Sequence, residues 1–69
     1  MNQTERLGQQ IREMRKNQKL TQEQLAASTG VGLRFLRELE HGKASCQIGK
    51  ALQVLAMLGM SVQIDGKLL

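Results

Sequence analysis

Two short helical patterns that meet at a glycine constrain this chain more than any other feature. Thr21-Gln22-Glu23-Gln24 has the form of a capping box: the Thr21 hydroxyl accepts from the backbone N–H of Gln24, whose side chain reaches back. A helix therefore starts at Gln22. It turns Leu25 and Ala26 inward and stops at Ser28-Thr29-Gly30, where Gly30 is free to take the positive φ of a tight turn. Val31 plugs that turn. A further helix runs from Gly32 to about His41, with Leu36 and Leu39 inward and Gly42 as its C-cap. Its other face carries Leu33, Arg34, Arg37 and Glu38.

The flanks supply what these helices pack on. From Thr4 onward, Leu7, Ile11 and Met14 recur at spacings of four and three, which predicts an amphipathic first helix ending near Asn17 to Lys19. Arg15, Lys16 and Lys19 lie near its C-terminal end, where cations suit the helix dipole; they read equally as a solvated face or as phosphate contacts. Ser45 can cap a fourth helix from about Cys46 to Leu58, striped by Ile48, Leu52, Leu55 and Leu58 and stopped at Gly59. Beyond it, Met60, Val62 and Ile64 alternate with Ser61, Gln63 and Asp65, the period of a half-buried strand, and Asp65-Gly66 is a turn signal. No other segment alternates in this way. The strand is therefore expected to pair with a second copy of itself across a two-fold axis, with Met60, Val62 and Ile64 at the dimer interface.

Size and charge narrow the function. A chain of 69 residues with one Phe and no Trp, Tyr or Pro buries only about 60% of its unfolded surface, which argues for a partner chain and against a self-contained enzyme. Cys46 is the single cysteine, so no internal disulfide forms, no metal-ligand set accompanies it, and a reducing cytoplasm is the expected compartment. The start, Met-Asn-Gln-Thr-Glu-Arg, lacks the apolar region of an export signal, and the stretch from Ala51 to Ile64 is too short and interrupted to span a bilayer. His41 has no partner fixed by sequence, and Gly30 and Gly32 are turn glycines without a following Lys-Ser/Thr; neither catalysis, a cofactor nor a small-molecule ligand is evident. A net charge of +4 points towards a polyanion, with DNA, RNA, anionic lipid and an acidic protein all still open.

Two short helices joined by a glycine turn, the second bearing arginines outward, describe a helix-turn-helix. Gln22, Ala26, Gly30, Val31, Leu36 and Leu39, followed by Glu40-His41-Gly42-Lys43, resemble the pattern of Xre/Cro-type helix-turn-helix regulators. Residues 31–43, then Gln47-Ile48-Gly49-Lys50-Ala51-Leu52-Gln53-Val54-Leu55 and Leu58-Gly59-Met60, are similar to small antitoxins of the HipB type. The resemblance implies an all-α, lambda-repressor-like domain of four to five helices over residues 4–59, with a strand over 60–69 completing an intermolecular sheet in a homodimer. It further implies repression of the chain's own operon on double-stranded operator DNA and a HipA-type serine/threonine kinase toxin as partner. By the family's docking geometry, Thr21 and Gln22 approach the DNA with the exposed face of the following helix. Arg34 and Arg37 are candidates for reading guanine, because a guanidinium pairs with O6 and N7 together. Either can instead clamp phosphate or pair with Glu38 or Glu40. Leu33 is a candidate for a thymine methyl, Gly32 permits close approach to phosphate, Glu38 can accept from cytosine N4 or orient an arginine, and His41 and Lys43 fall where phosphate would lie. Phe35 borders the buried face and reads as core. Two rival readings remain open: an Xre-like protein-interaction module, and a stand-alone repressor with no toxin.

Overall fold

The computed structural model describes residues 2–44 and 47–69. Four helices come first: α1 (Gln3–Asn17), α2 (Gln22–Thr29), α3 (Leu33–Glu40) and α4 (Ile48–Met57). A two-stranded antiparallel hairpin follows, β1 (Gln63–Ile64) and β2 (Lys67–Leu68). Both of the first helices start on capping boxes. Asn2 Oδ1 accepts from the Glu5 N–H at 2.8 Å while the Glu5 carboxylate accepts from the Asn2 N–H at 3.1 Å, and Thr21 and Gln24 repeat the exchange at 3.0 and 2.9 Å. Gly30 caps α2 at a φ of +80°, as the turn requires.

All four helices contribute to one core. Ile11 of α1, Leu25 of α2, Leu36 and Leu39 of α3 and Val54 of α4 are fully buried, with Val31 covering the turn. The end of α3 lies close against α1. Gly8 is buried, and a Cβ added there would collide with the Leu39 carbonyl oxygen and lie 2.7 Å from that of Glu40. Gly42 follows α3 at a φ of +79°, where a Cβ would sit 2.6 Å from the Glu5 Cα. Backbone N–H groups of Gly42 and Lys43 return to the carbonyls of Leu39 and Glu38, so His41 is the C-cap and Gly42 the left-handed residue after it. The same closure ends α1, but there Lys19 holds the left-handed position at a φ of +60°.

Two expectations about the second half of the chain are corrected. The fourth helix begins at Ile48, with Gln47 as N-cap, and it buries Ala51, Val54, Leu55 and Leu58. Ile48 is 70% exposed and Leu52 only half-buried. Periodicity could not choose between two apolar faces, because Ala51 and Val54 form one as continuous as Ile48 and Leu52. The proposed cap Ser45, and Cys46, lie outside the described residues. The strand, in turn, has a partner within its own chain. Gln63 pairs with Leu68 and Ile64 with Lys67 around a two-residue turn at Asp65-Gly66, both at positive φ, and the Leu69 N–H extends the ladder to the Val62 carbonyl at 2.8 Å. A second copy is therefore not needed to satisfy these backbone groups. Two residues are too few to alternate, which is why Lys67-Leu68 carries no strand signal of its own. Among the described residues no helix is long and apolar enough to cross a membrane.

Candidate nucleic-acid interface

The surface around α3 divides into two polar clusters. On its outward face the Arg34 side chain is 91% exposed, and its Nε donates to Glu38 Oε1 at 3.1 Å. Lys43, beyond the helix, donates from Nζ to Glu38 Oε2 at 3.2 Å. One carboxylate thus holds two cations, an oxygen to each. The Lys43 hydrogen bond first, and the Arg34 hydrogen bond second, hold the Glu38 carboxyl below its usual range, so it stays ionised. Arg37 is exposed and has no ion-pair partner among the described residues; its carbonyl oxygen accepts from His41 Nδ1 at 2.7 Å. Helical spacing sets Arg34, Arg37, Glu38 and His41 along one stripe of α3 and its cap.

The second cluster is buried behind the first. Arg15 Nε and Nη2 donate to the two oxygens of Glu40 at 2.7 and 3.1 Å, and Nη1 donates to the Leu20 carbonyl at 2.8 Å. Gln22 Nε2 adds a third donor to the pair, 3.1 Å from Glu40 Oε1. Arg15 is therefore neither the solvated cation nor the phosphate contact that its place near the end of α1 suggests. It ties α1 to α3. Gln22 is half-buried at the start of α2 and held from behind by Glu40, while Thr21 before it is exposed. In front lies a polar cleft of about 440 Å³, lined by Arg12, Arg15, Leu20, Thr21, Gln22, Glu40 and His41.

Arg12 was absent from the sequence-predicted site. The signal for it was its position, one turn before Arg15 on α1, and that carries meaning only once the cleft is seen to bring Arg12 together with Thr21 and Gln22. Leu33, expected to be exposed, is half-buried, and part of its side chain packs against the core. Phe35 also packs against the core, with the Lys50 ammonium 5.7 Å from its ring centre. Gly32 is the exposed N-cap of α3. Met60 and Val62 are half-buried against the core, whereas Ile64 is exposed on the hairpin.

Comparison with known proteins places this geometry. A family model described as helix-turn-helix matches residues 11–64. The chain is 53% identical over 58 residues to an uncharacterized HTH-type transcriptional regulator, y4mF, of Sinorhizobium fredii (strain NBRC 101917 / NGR234), covering 84% of this chain and 76% of that protein. Its fold is similar to that of a solved structure titled MDT Protein, with a TM-score of 0.82 at 17% identity over 93% of this chain and 90% of the other. With a family model that runs from the second half of α1 to the hairpin's first strand, the chain belongs to the Xre-type helix-turn-helix family of DNA-binding transcriptional regulators, and it is not an enzyme.

Proposed function

We propose that the chain represses transcription by occupying an operator through α3, as a homodimer, and that it serves as the antitoxin of a HipA-type kinase. The observation that carries the DNA reading is the stripe of Arg34, Arg37 and His41 on the outward face of α3, with Lys43 just beyond it. Arg34 and Arg37 supply the base contacts in the major groove. Gly32 allows the DNA backbone to come close to the start of α3. The cleft at the far end of α3, lined by Arg12, Thr21, Gln22 and His41 and bordered by the start of α2, takes a backbone phosphate. This extends the phosphate-contacting set to a residue of α1.

A second cleft, apolar and of about 370 Å³ between α4 and the hairpin, supports the dimer. Leu52, Leu55, Met60, Val62, Leu68 and Leu69 line it, and Ile64, Leu68 and Leu69 are all more than half exposed. Self-association through Met60, Val62 and Ile64 would cover these side chains and carry two copies of α3 towards major grooves about 34–36 Å apart. The kinase partner rests on the HipB-like residue pattern alone.

A gel shift at two salt concentrations, with DNA from upstream of the chain's own gene set against random duplex, tests the repressor reading. Tight binding to the upstream DNA, weakened steeply by salt, is expected. Equal binding to both duplexes would overturn it in favour of a protein-interaction role. Co-purification of the full chain with a kinase encoded beside it tests the antitoxin reading, and a neighbouring frame with no kinase leaves a stand-alone repressor.

A further inference from the structure

We infer that Glu38 is a specificity-determining positioning residue: by holding Arg34 and Lys43 it weakens sequence-independent phosphate binding and leaves the Arg34 fork free for a base. This rests on the reading that α3 faces the DNA. A carboxylate is an unexpected group on such a surface, since it repels the phosphates that its neighbours would attract. Here it is fully engaged, with one oxygen on each cation. The cluster of Arg34, Glu38 and Lys43 therefore presents one unit of net positive charge where the two cations alone would present two.

The geometry separates the two tasks. Glu38 takes Arg34 by Nε, the nitrogen nearest the stem, so the two terminal nitrogens remain for a bidentate approach to guanine O6 and N7. A long side chain that is 91% exposed would otherwise sample many directions, and this tether restricts it before DNA arrives. Lys43 is the better phosphate ligand of the two, a compact charge on a flexible stem, and the same carboxylate restrains it. On random duplex, phosphate must compete with Glu38 for both cations. On the operator the base contact of Arg34 compensates.

The test uses the full chain and two duplexes: one selected from a randomised pool by the unaltered protein, and one random. Glu38→Gln keeps the shape of the side chain and removes its charge. It is expected to raise affinity for random duplex about threefold to tenfold at low salt, to steepen the salt dependence there by about one counter-ion, and so to narrow the preference for the selected duplex. A merely structural role for Glu38 would not change the salt slope. Arg34→Ala is measured beside it. If Arg34→Ala loses the preference while Glu38→Gln leaves random-duplex affinity and slope unchanged, the inference about Glu38 fails alone. If neither variant alters the preference, the α3 reading fails with it. Loss of affinity for the selected duplex only, in Glu38→Gln, would overturn the proposal in favour of direct cytosine recognition.

Discussion

Two glutamates stand two residues apart on α3, each paired with an arginine, yet they do opposite things. Glu40 is buried against Arg15 and Gln22 and joins three helices; Glu38 is about a third exposed and shared between Arg34 and Lys43. Burial explains the difference. The Arg15 and Glu40 side chains are only 9% and 2% exposed, so each charge depends on the other and neither can leave without a large cost. Around Glu38 water can replace either partner, so the contacts are exchangeable, as the proposed release of its cations to DNA requires. One helix thus uses the same residue type once to hold the fold and once to tune the surface.

The largest effect expected from this contrast is on folding. Glu40→Ala strands the Arg15 guanidinium in the interior and should cost about 3–5 kcal/mol in denaturant unfolding, a large share of a small domain's stability. Replacing both partners at once, Arg15→Met with Glu40→Leu, should restore most of that loss, because the expense lies in the unpaired charge. A single substitution costing no more than a surface change would break the comparison.

Next comes binding. Arg34→Ala should lower operator affinity by about 1–3 kcal/mol with no change in the unfolding midpoint. Unchanged affinity would remove the base-reading role from this arginine. Smaller still is a change at Lys19, the non-glycine residue held at positive φ between α1 and α2. Lys19→Gly should stabilise the chain by up to about 1 kcal/mol in thermal unfolding, by relieving the left-handed backbone. If DNA affinity falls in the same variant, Lys19 also touches phosphate.

The mildest perturbation is pH. The Glu38 carboxyl is held low in the folded chain, so whatever its ion pairs contribute is present above the usual carboxylate range and is lost as pH falls through the lowered folded value. Protonation frees Arg34 and Lys43. Random-duplex affinity should therefore rise in that acidic window for the native chain, relative to Glu38→Gln, in which the step is absent. An NMR titration of the Glu38 carboxyl with its midpoint within or above the ordinary range would contradict the clamp.

Local chemistry made much of this legible in the sequence. The Thr21 capping box, the turn at Gly30 and the inward pair Leu36 and Leu39 depend on neighbours within a few residues, and each stands where its spacing predicts. The rotation of α4 was only half legible: Leu55 and Leu58 are buried as expected, but only the packed core selects Ala51 and Val54 over Ile48 and Leu52. The closing strand was hidden for a related reason: Lys67-Leu68 becomes a strand only because Asp65-Gly66 folds it back on Ile64. Of the candidate site, the pairing of Arg34 with Glu38 could be anticipated from their helical spacing, whereas the partial burial of Leu33 and the place of Arg12 on the cleft wall could not.

By itself the sequence determined the two short helices, the turn between them and the basic stripe on the second, since helix caps, glycine conformation and side-chain periodicity act over one or two turns. Tertiary structure alone decided which charges are structural. Arg15 and Glu40 lie 25 residues apart, and nothing in either neighbourhood announces the other. Only the approach of α1 to the end of α3, across a glycine with no room for a Cβ, removes water from both and makes them a pair.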